Sequence, residues 1–189
     1  MSRGAAPGLI AGVFVGGRGT RMAGAAKGQL AAPGGGTLLD RWRALLCDAG
    51  VEVVLVGRHE GYASLDLEVL DDEPRGVGPL GGLIALLRRA RGGRALALAC
   101  DMPFVSSALL GRLIAAPPAV VVAPRRDGHW EPLCARYDAP GALPHALRRL
   151  AAGAHSLQLL LDEAGTMALP IDPAEAAELH DWDEPANLR

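Results

Sequence analysis

Residues 8–22 read Gly-Leu-Ile-Ala-Gly-Val-Phe-Val-Gly-Gly-Arg-Gly-Thr-Arg-Met. Gly8 to Val15 form a short apolar run of the kind that makes a buried strand. Gly16-Gly17 ends the run, and Arg18-Gly19-Thr20-Arg21-Met22 continues as a glycine-rich loop. Glycine lets a backbone come close to a ligand, and successive N–H groups in such a loop form a nest for an anion. A strand running straight into an anion-binding loop sets the expectation for the rest of the chain: ligands gather where strands end.

The remaining apolar runs fit that frame. Val51–Gly57, Leu67–Leu70, Ala95–Cys100 and Val120–Ala123 have strand length and composition, and Met167–Ile171 is a short last strand. Residues 130–137 read as extended but ambiguous. Between the runs lie helical patterns. Thr37, with Asp40 three residues on, opens a helix to about Gly50. Leu80–Arg91 ends in Arg88, Arg89 and Arg91, where cations suit a helix C-terminus. Ser106 or Ser107 caps a helix through Ala116, Gly141–Leu150 and Ser156–Ala164 are helical, and Asp172-Pro173 opens the last helix. Strands alternating with helices predict an open, doubly wound α/β fold: one mostly parallel, Rossmann-like sheet covered on both faces, over residues 1–189 as a single domain. In such sheets ligands bind at the carboxyl ends of the strands.

The 189 residues are 50% hydrophobic and only 4% aromatic, so the core is built of aliphatic side chains. A net charge of −2 gives no electrostatic footprint for nucleic acid. No apolar run reaches the length of a membrane span, and the amino terminus does not read as a signal peptide. Cys47, Cys100 and Cys134 show no paired spacing, which suits a reducing, cytoplasmic setting. Of 19 basic residues one is lysine, Lys27. Where arginine is the default cation, that lysine stands out.

The loop is neither a dinucleotide fingerprint, since Met22 stands where the third glycine belongs, nor a P-loop, since Lys27 is followed by Gly28 and Gln29. What remains is a glycine loop carrying two cations, Arg21 and Lys27, suited to a triphosphate. Residues 23–36, rich in Gly and Ala with Pro33, are expected to stay a long loop. Asp101 follows the run Ala95–Cys100 and is held by Met102-Pro103. A carboxylate at the tip of a central strand suits magnesium, which takes one or two carboxylates plus substrate phosphates. Asp72 precedes Gly78-Pro79-Leu80-Gly81-Gly82, a helix-opening turn that permits close approach. His59, His129, His145, His155 and His180 have no metal-ligand spacing and read as surface or loop residues. Trp42, Trp130 and Trp182 read as packing or interface residues, and Glu131-Pro132-Leu133 carries no physical signal of its own.

Four motifs, in order along nearly the whole chain, resemble the molybdenum cofactor guanylyltransferases (MobA type) of the nucleotidyltransferase superfamily. They are Phe14-Val15-Gly16-Gly17-Arg18-Gly19-Thr20-Arg21-Met22 with Lys27-Gly28; Asp72 with Gly78-Pro79-Leu80-Gly81-Gly82; Cys100-Asp101-Met102-Pro103-Phe104; and Pro132-Leu133-Cys134-Ala135-Arg136-Tyr137. The resemblance implies transfer of GMP from GTP to the terminal phosphate of molybdopterin with release of pyrophosphate; the protein partners expected beside these substrates are molybdoenzymes or other cofactor-biosynthesis proteins. It implies nucleotide contacts from Phe14, Val15, Gly16, Gly17, Gly19, Val56 and Asp72. Lys27 and Arg21 would meet the phosphates, and Asp101 would hold Mg2+. This chain departs from the family's pattern at Ala26, where Asp is common before the lysine, and at Val56, where Asn is common. It departs again at Asp181-Trp182-Asp183, where Asn-x-Asn is common; this acidic turn would either add a metal ligand, Asp183, or repel a phosphorylated acceptor. Two further readings stay open: a related transferase using another nucleotide or acceptor, such as CTP or a phospho-sugar, and a non-catalytic nucleotide-binding adaptor.

Overall fold

The computed structural model describes residues 8–15, 27–58, 60–62 and 65–182. Its strands are β1 (Leu9–Phe14), β2 (Glu52–Val56), β3 (Val69–Leu70), β4 (Arg94–Ala99), β5 (Val121–Arg126), β6 (His129–Trp130), β7 (Cys134–Asp138) and β8 (Met167–Leu169). They form one sheet in the order β3-β2-β1-β4-β7-β5-β6, with β8 also pairing β5. The half β3-β2-β1-β4 is parallel throughout, with Val13 beside both Leu55 and Leu98. β7 then runs antiparallel between β4 and β5, while β8 is parallel to β5. The predicted doubly wound, mostly parallel sheet is the architecture found.

Successive residues of a strand point to opposite faces, and the core divides accordingly. Val13, Leu55 and Leu98 pack with Leu39, Trp42 and Leu46 of α1 (Leu38–Asp48), with Leu109 and Leu113 of α3 (Ser107–Ala115), and with Leu179 just beyond α6 (Pro173–Glu178). Phe14, Val54, Val56 and Ala97 pack with α2 (Pro79–Arg89), α4 (Ala139–Ala151) and α5 (Leu157–Glu163) on the other face. Burying one such aliphatic side chain contributes roughly 1.5–3 kcal/mol, so the many Leu, Val and Ile positions compensate for the scarcity of aromatics.

Local chemistry sets the helix starts. Thr37 and Asp40 form the predicted capping box: the Asp40 N–H donates to Thr37 Oγ1 at 3.1 Å, and the Thr37 N–H to Asp40 Oδ2 at 3.1 Å. These bonds, with Arg43 nearby, hold the Asp40 carboxyl below its ordinary value. Of the two serines Ser106 is the cap, its Oγ accepting from the Leu109 N–H at 3.1 Å. Pro79 and Pro173 sit in first turns, where their missing N–H costs no helical bond.

Several expectations change. The strand anticipated over Leu67–Leu70 pairs only at its end, where the Leu55 N–H donates to Glu68 O at 2.8 Å and the Gly57 N–H to Leu70 O at 2.9 Å. The ambiguous stretch 130–137 divides into β6 and β7, whose inward-pointing Arg136 disguises a buried strand. His145 lies in α4 rather than on a loop, half-buried, with its Nδ1 shut off from solvent and without a partner among the described residues. His129, His155 and His180 are exposed, and His59 lies outside the described residues. Residues 27–36 are not featureless either, since Lys27–Gln29 make a 3-10 turn and Ala31 bridges to Thr37.

Candidate active site

The carboxyl ends of β1, β2, β3 and β4 share one rim of the sheet, because these strands run parallel. β4 delivers Asp101 there. Three contacts pin the loop that follows: the Cys100 N–H donates to Phe14 O (3.2 Å), Trp42 Nε1 donates to Ala99 O (3.0 Å), and Arg41 Nη2 donates to Val105 O (3.1 Å). With Ser106 capping α3, the Asp101 carboxylate is left facing the rim.

Lys27 meets it. The Lys27 Nζ lies 3.0 Å from Asp101 Oδ2, with the two side chains 29% and 17% exposed. The lysine's position rests on its neighbour. The Gly28 N–H donates to the Tyr62 hydroxyl at 2.7 Å, and a Cβ added at Gly28 would lie 2.8 Å from that oxygen, so only glycine allows the approach. Burial, with Cys100 close by, pushes the Tyr62 hydroxyl up to about 12, so it stays protonated.

At the other end of the rim, Asp72 follows β3. It is half-buried, and desolvation, reinforced by Asp71, raises its carboxyl above the ordinary value of 3.8. Gly82 in the first turn of α2 faces Asp72, Phe14 and Val56 at once. An added Cβ would fall 2.6 Å from Val56 Cγ1, 3.0 Å from Phe14 Cε1 and 3.1 Å from Asp72 Oδ1. Phe14, Val56 and Asp72 therefore converge on Gly82. The main chain at the tip of β1 is already engaged, since Phe14 O accepts from Cys100 and the Val15 N–H donates to Val56 O at 3.0 Å. Val56 is fully buried, so it shapes this corner by its volume. Three strand spacings separate β3 from β4, roughly 14 Å, so Asp72 and the Lys27–Asp101 pair stand towards opposite ends of the rim.

Gly16, Gly17, Gly19, Arg21, Ala26 and Asp183 lie outside the described residues. No group of three side chains suited to a metal cage occurs among the described residues. The donor set at the rim, one carboxylate open to a phosphate-bearing ligand, fits a hard cation such as Mg2+ that completes its shell with substrate oxygens.

Sequence reasoning missed two features. The Trp182 N–H donates to Asp101 O at 2.7 Å, so the segment after α6 returns to the tip of β4. Glu131, which carried no signal, is largely buried against Arg126 (Nε to Oε1, 2.8 Å); burial raises its carboxyl, Arg126 opposes that, and Asp181 and His180 lie within its electrostatic reach. Both depend on residues far apart in the chain, and a periodicity or motif cannot register them.

An open α/β sheet with a loop lysine and a strand-tip aspartate paired on its rim is the frame of a nucleotidyltransferase, and comparison with known proteins gives the same class. A family profile described as MobA-like NTP transferase domain matches residues 11–166. The chain belongs to that family. It is 35% identical over 178 residues to the molybdenum cofactor guanylyltransferase of Xanthomonas euvesicatoria pv. vesicatoria, covering 92% of this chain and 88% of the relative. It is 35% identical over 159 residues to the protein so named in Pseudomonas putida strain KT2440, covering 80% and 82%. Among solved structures it resembles the molybdopterin-guanine dinucleotide biosynthesis protein A of Archaeoglobus fulgidus, with a TM-score of 0.74, 25% identity, and 95% and 94% of the two chains covered. The fold alone is shared with the 2-C-methyl-D-erythritol 4-phosphate cytidylyltransferase of Thermus thermophilus, at 18% identity and a TM-score of 0.66 over 95% of each chain.

Proposed function

We propose that this nucleotidyltransferase moves GMP from GTP to the terminal phosphate of molybdopterin and releases pyrophosphate, with Mg2+ as cofactor. The observation that carries the reading is the Lys27–Asp101 pair at 3.0 Å on the rim that also holds Asp72; the names of the relatives support the choice of nucleotide and acceptor. Asp72 would receive the base in the corner formed with Phe14, Val56 and Gly82. Lys27, with Arg21 and the amides of Gly16, Gly17 and Gly19, would hold the triphosphate. Without ligand Lys27 is the counter-ion of Asp101; a triphosphate gives its ammonium a more highly charged partner and frees the carboxylate for a cation. Magnesium bound by Asp101 and the phosphates would supply charge neutralisation at the leaving pyrophosphate.

An oxygen of the acceptor phosphate attacks the α-phosphorus of GTP, a new P–O bond forms, and the bond to pyrophosphate breaks. The attacking oxygen is already anionic, so no general base is required. The work of the protein is alignment and electrostatic stabilisation. No described helix is long and apolar enough to cross a membrane, and we place the reaction in the cytoplasm, with the product passed to molybdoenzymes.

The test is direct. Purified protein incubated with radiolabelled GTP, MgCl2 and molybdopterin should yield a labelled dinucleotide and one pyrophosphate per transfer, with CTP a poor substitute. Turnover of CTP in preference to GTP would reassign the nucleotide. Tight GTP binding with no product under saturating acceptor would replace transfer with an adaptor role.

A further inference from the structure

Three tryptophans occur in the chain, and two are satisfied by the fold. Trp42 is buried and donates its N–H to Ala99 O at 3.0 Å. Trp130 is buried, donates to Asp162 Oδ1 at 2.8 Å, and carries the Arg125 guanidinium 4.4 Å from its ring centroid. Trp182 differs. It is only partly buried, and its indole N–H is closed off from water yet meets no acceptor among the described residues. Its ring packs edge-on against Phe104, with centroids 5.6 Å apart and planes at 66°. Phe104 is itself 41% exposed, whereas Phe14 is buried. A core has no use for an indole with an unmet donor and a phenyl ring in solvent.

Their place is informative. The main chain of Trp182 is bonded to Asp101 O, and Phe104 stands three residues beyond Asp101. The corner formed by Phe14, Val56 and Gly82 belongs to the α2 face of the sheet. Phe104 and Trp182 instead adjoin α3 and α6, which are joined by Ser106 N–H to Glu178 Oε2 (2.9 Å) and by the Arg112–Glu175 ion pair. The strand-tip carboxylate thus has the Phe14–Val56–Gly82 corner towards the α2 face and an aromatic pair towards α3 and α6.

Resting on the reading of the protein as a transferase to molybdopterin, we infer that Phe104 and Trp182 are the wall on which the fused pterin ring of the acceptor stacks. Stacking there sets its terminal phosphate beside Asp101 and opposite the nucleotide. Planar heteroaromatic rings gain attraction from aromatic side chains without needing a fixed set of hydrogen bonds.

Two measurements test it. Steady-state kinetics should show the KM for molybdopterin raised roughly ten-fold in Trp182→Ala and in Phe104→Ala, from the usual worth of one ring stack. Trp182→Phe should restore most of it, and the KM for GTP and the melting rise produced by GTP should be unchanged. Second, 6-hydroxymethylpterin at millimolar concentration should quench tryptophan emission in the wild type but not in Trp182→Phe, since Trp42 and Trp130 are buried. An unchanged acceptor KM in the Phe104→Ala/Trp182→Ala double variant, or equal quenching in Trp182→Phe, would overturn the inference. The outcomes separate it from the reading beneath it: absence of any dinucleotide from the wild type rejects the transferase assignment, while pterin quenching still reports on the wall.

Discussion

Gly28 carries a constraint that acts on Lys27. Because its N–H and its missing Cβ both face the Tyr62 hydroxyl, Gly28→Ala must move the turn that holds the lysine. A displacement of about 1 Å at a catalytic group can cost on the order of 10²-fold in rate, so kcat should fall by that order while thermal melting changes little. Lys27→Ala and Asp101→Asn should each lower kcat/KM by roughly 10²–10³-fold, the usual loss for a preorganised charge partner, again with near-native melting; wild-type rates in either variant would remove that residue from the site. Asp72 makes a pH prediction. Its carboxyl is raised in the folded chain, chiefly by burial, so the fold binds a proton more tightly than the unfolded chain does. The resulting stabilisation is complete below the ordinary value of 3.8 and fades as pH climbs through the raised one. Asp72→Asn should therefore flatten the dependence of melting temperature on pH across mildly acidic buffers, and an unaltered profile would contradict the assignment. The candidate site was legible at this scale where one residue type has one reason to be present: a lone lysine on a glycine loop and an aspartate after a buried strand. Trp182 and Glu131 were not, because their significance lies in partners distant in sequence.

Among the elements, β7 and α3 depend on one another through Arg136. Only 1% exposed, its guanidinium donates to the carbonyls of Leu113, Ile114, Ala116 and Pro117 at 3.3, 2.9, 2.6 and 2.6 Å, closing the carboxyl end of α3. Burial lowers its pKa, yet the fork of donors matches the splayed carbonyls as an ammonium cannot. Arg136→Ala strands several buried acceptors and should cost about 3 kcal/mol. At ~2–4 °C per kcal/mol for a chain of this size, melting should fall by roughly 10 °C, and Arg136→Lys should recover only part of it. Calorimetry checks both. Helix starts were readable because Thr37, Ser106 and Asp172 act within a turn of themselves. β7 was obscured because period-two patterning treats an arginine as outward-facing, whereas here the helix terminus supplies its solvation.

In the whole molecule the α2 face of the sheet carries the corner of Phe14, Val56 and Gly82, while Phe104 and Trp182 adjoin α3 and α6. Alternation of apolar runs and helical patterns was enough to specify the parallel half and the rim. The reversal of β7 was not foreseeable, because a two-residue β6 and a short turn give no periodic signal. A ligand that binds only the native state stabilises it by about 2.7 kcal/mol at roughly a hundred times its Kd. GTP with MgCl2 should therefore raise the melting temperature by roughly 5–10 °C, and CTP by markedly less; equal shifts from all four nucleoside triphosphates would show that the corner at Phe14 does not select the base.

The cysteines differ in a way that experiments can use. Cys100 and Cys134 are buried, and burial pushes the Cys134 thiol up to about 12, whereas Cys47 is exposed near the end of α1. That helix begins by the rim and runs about 16 Å away from it. A maleimide dye should therefore attach at a single address on the far pole, giving a reporter of tumbling that stands clear of the rim.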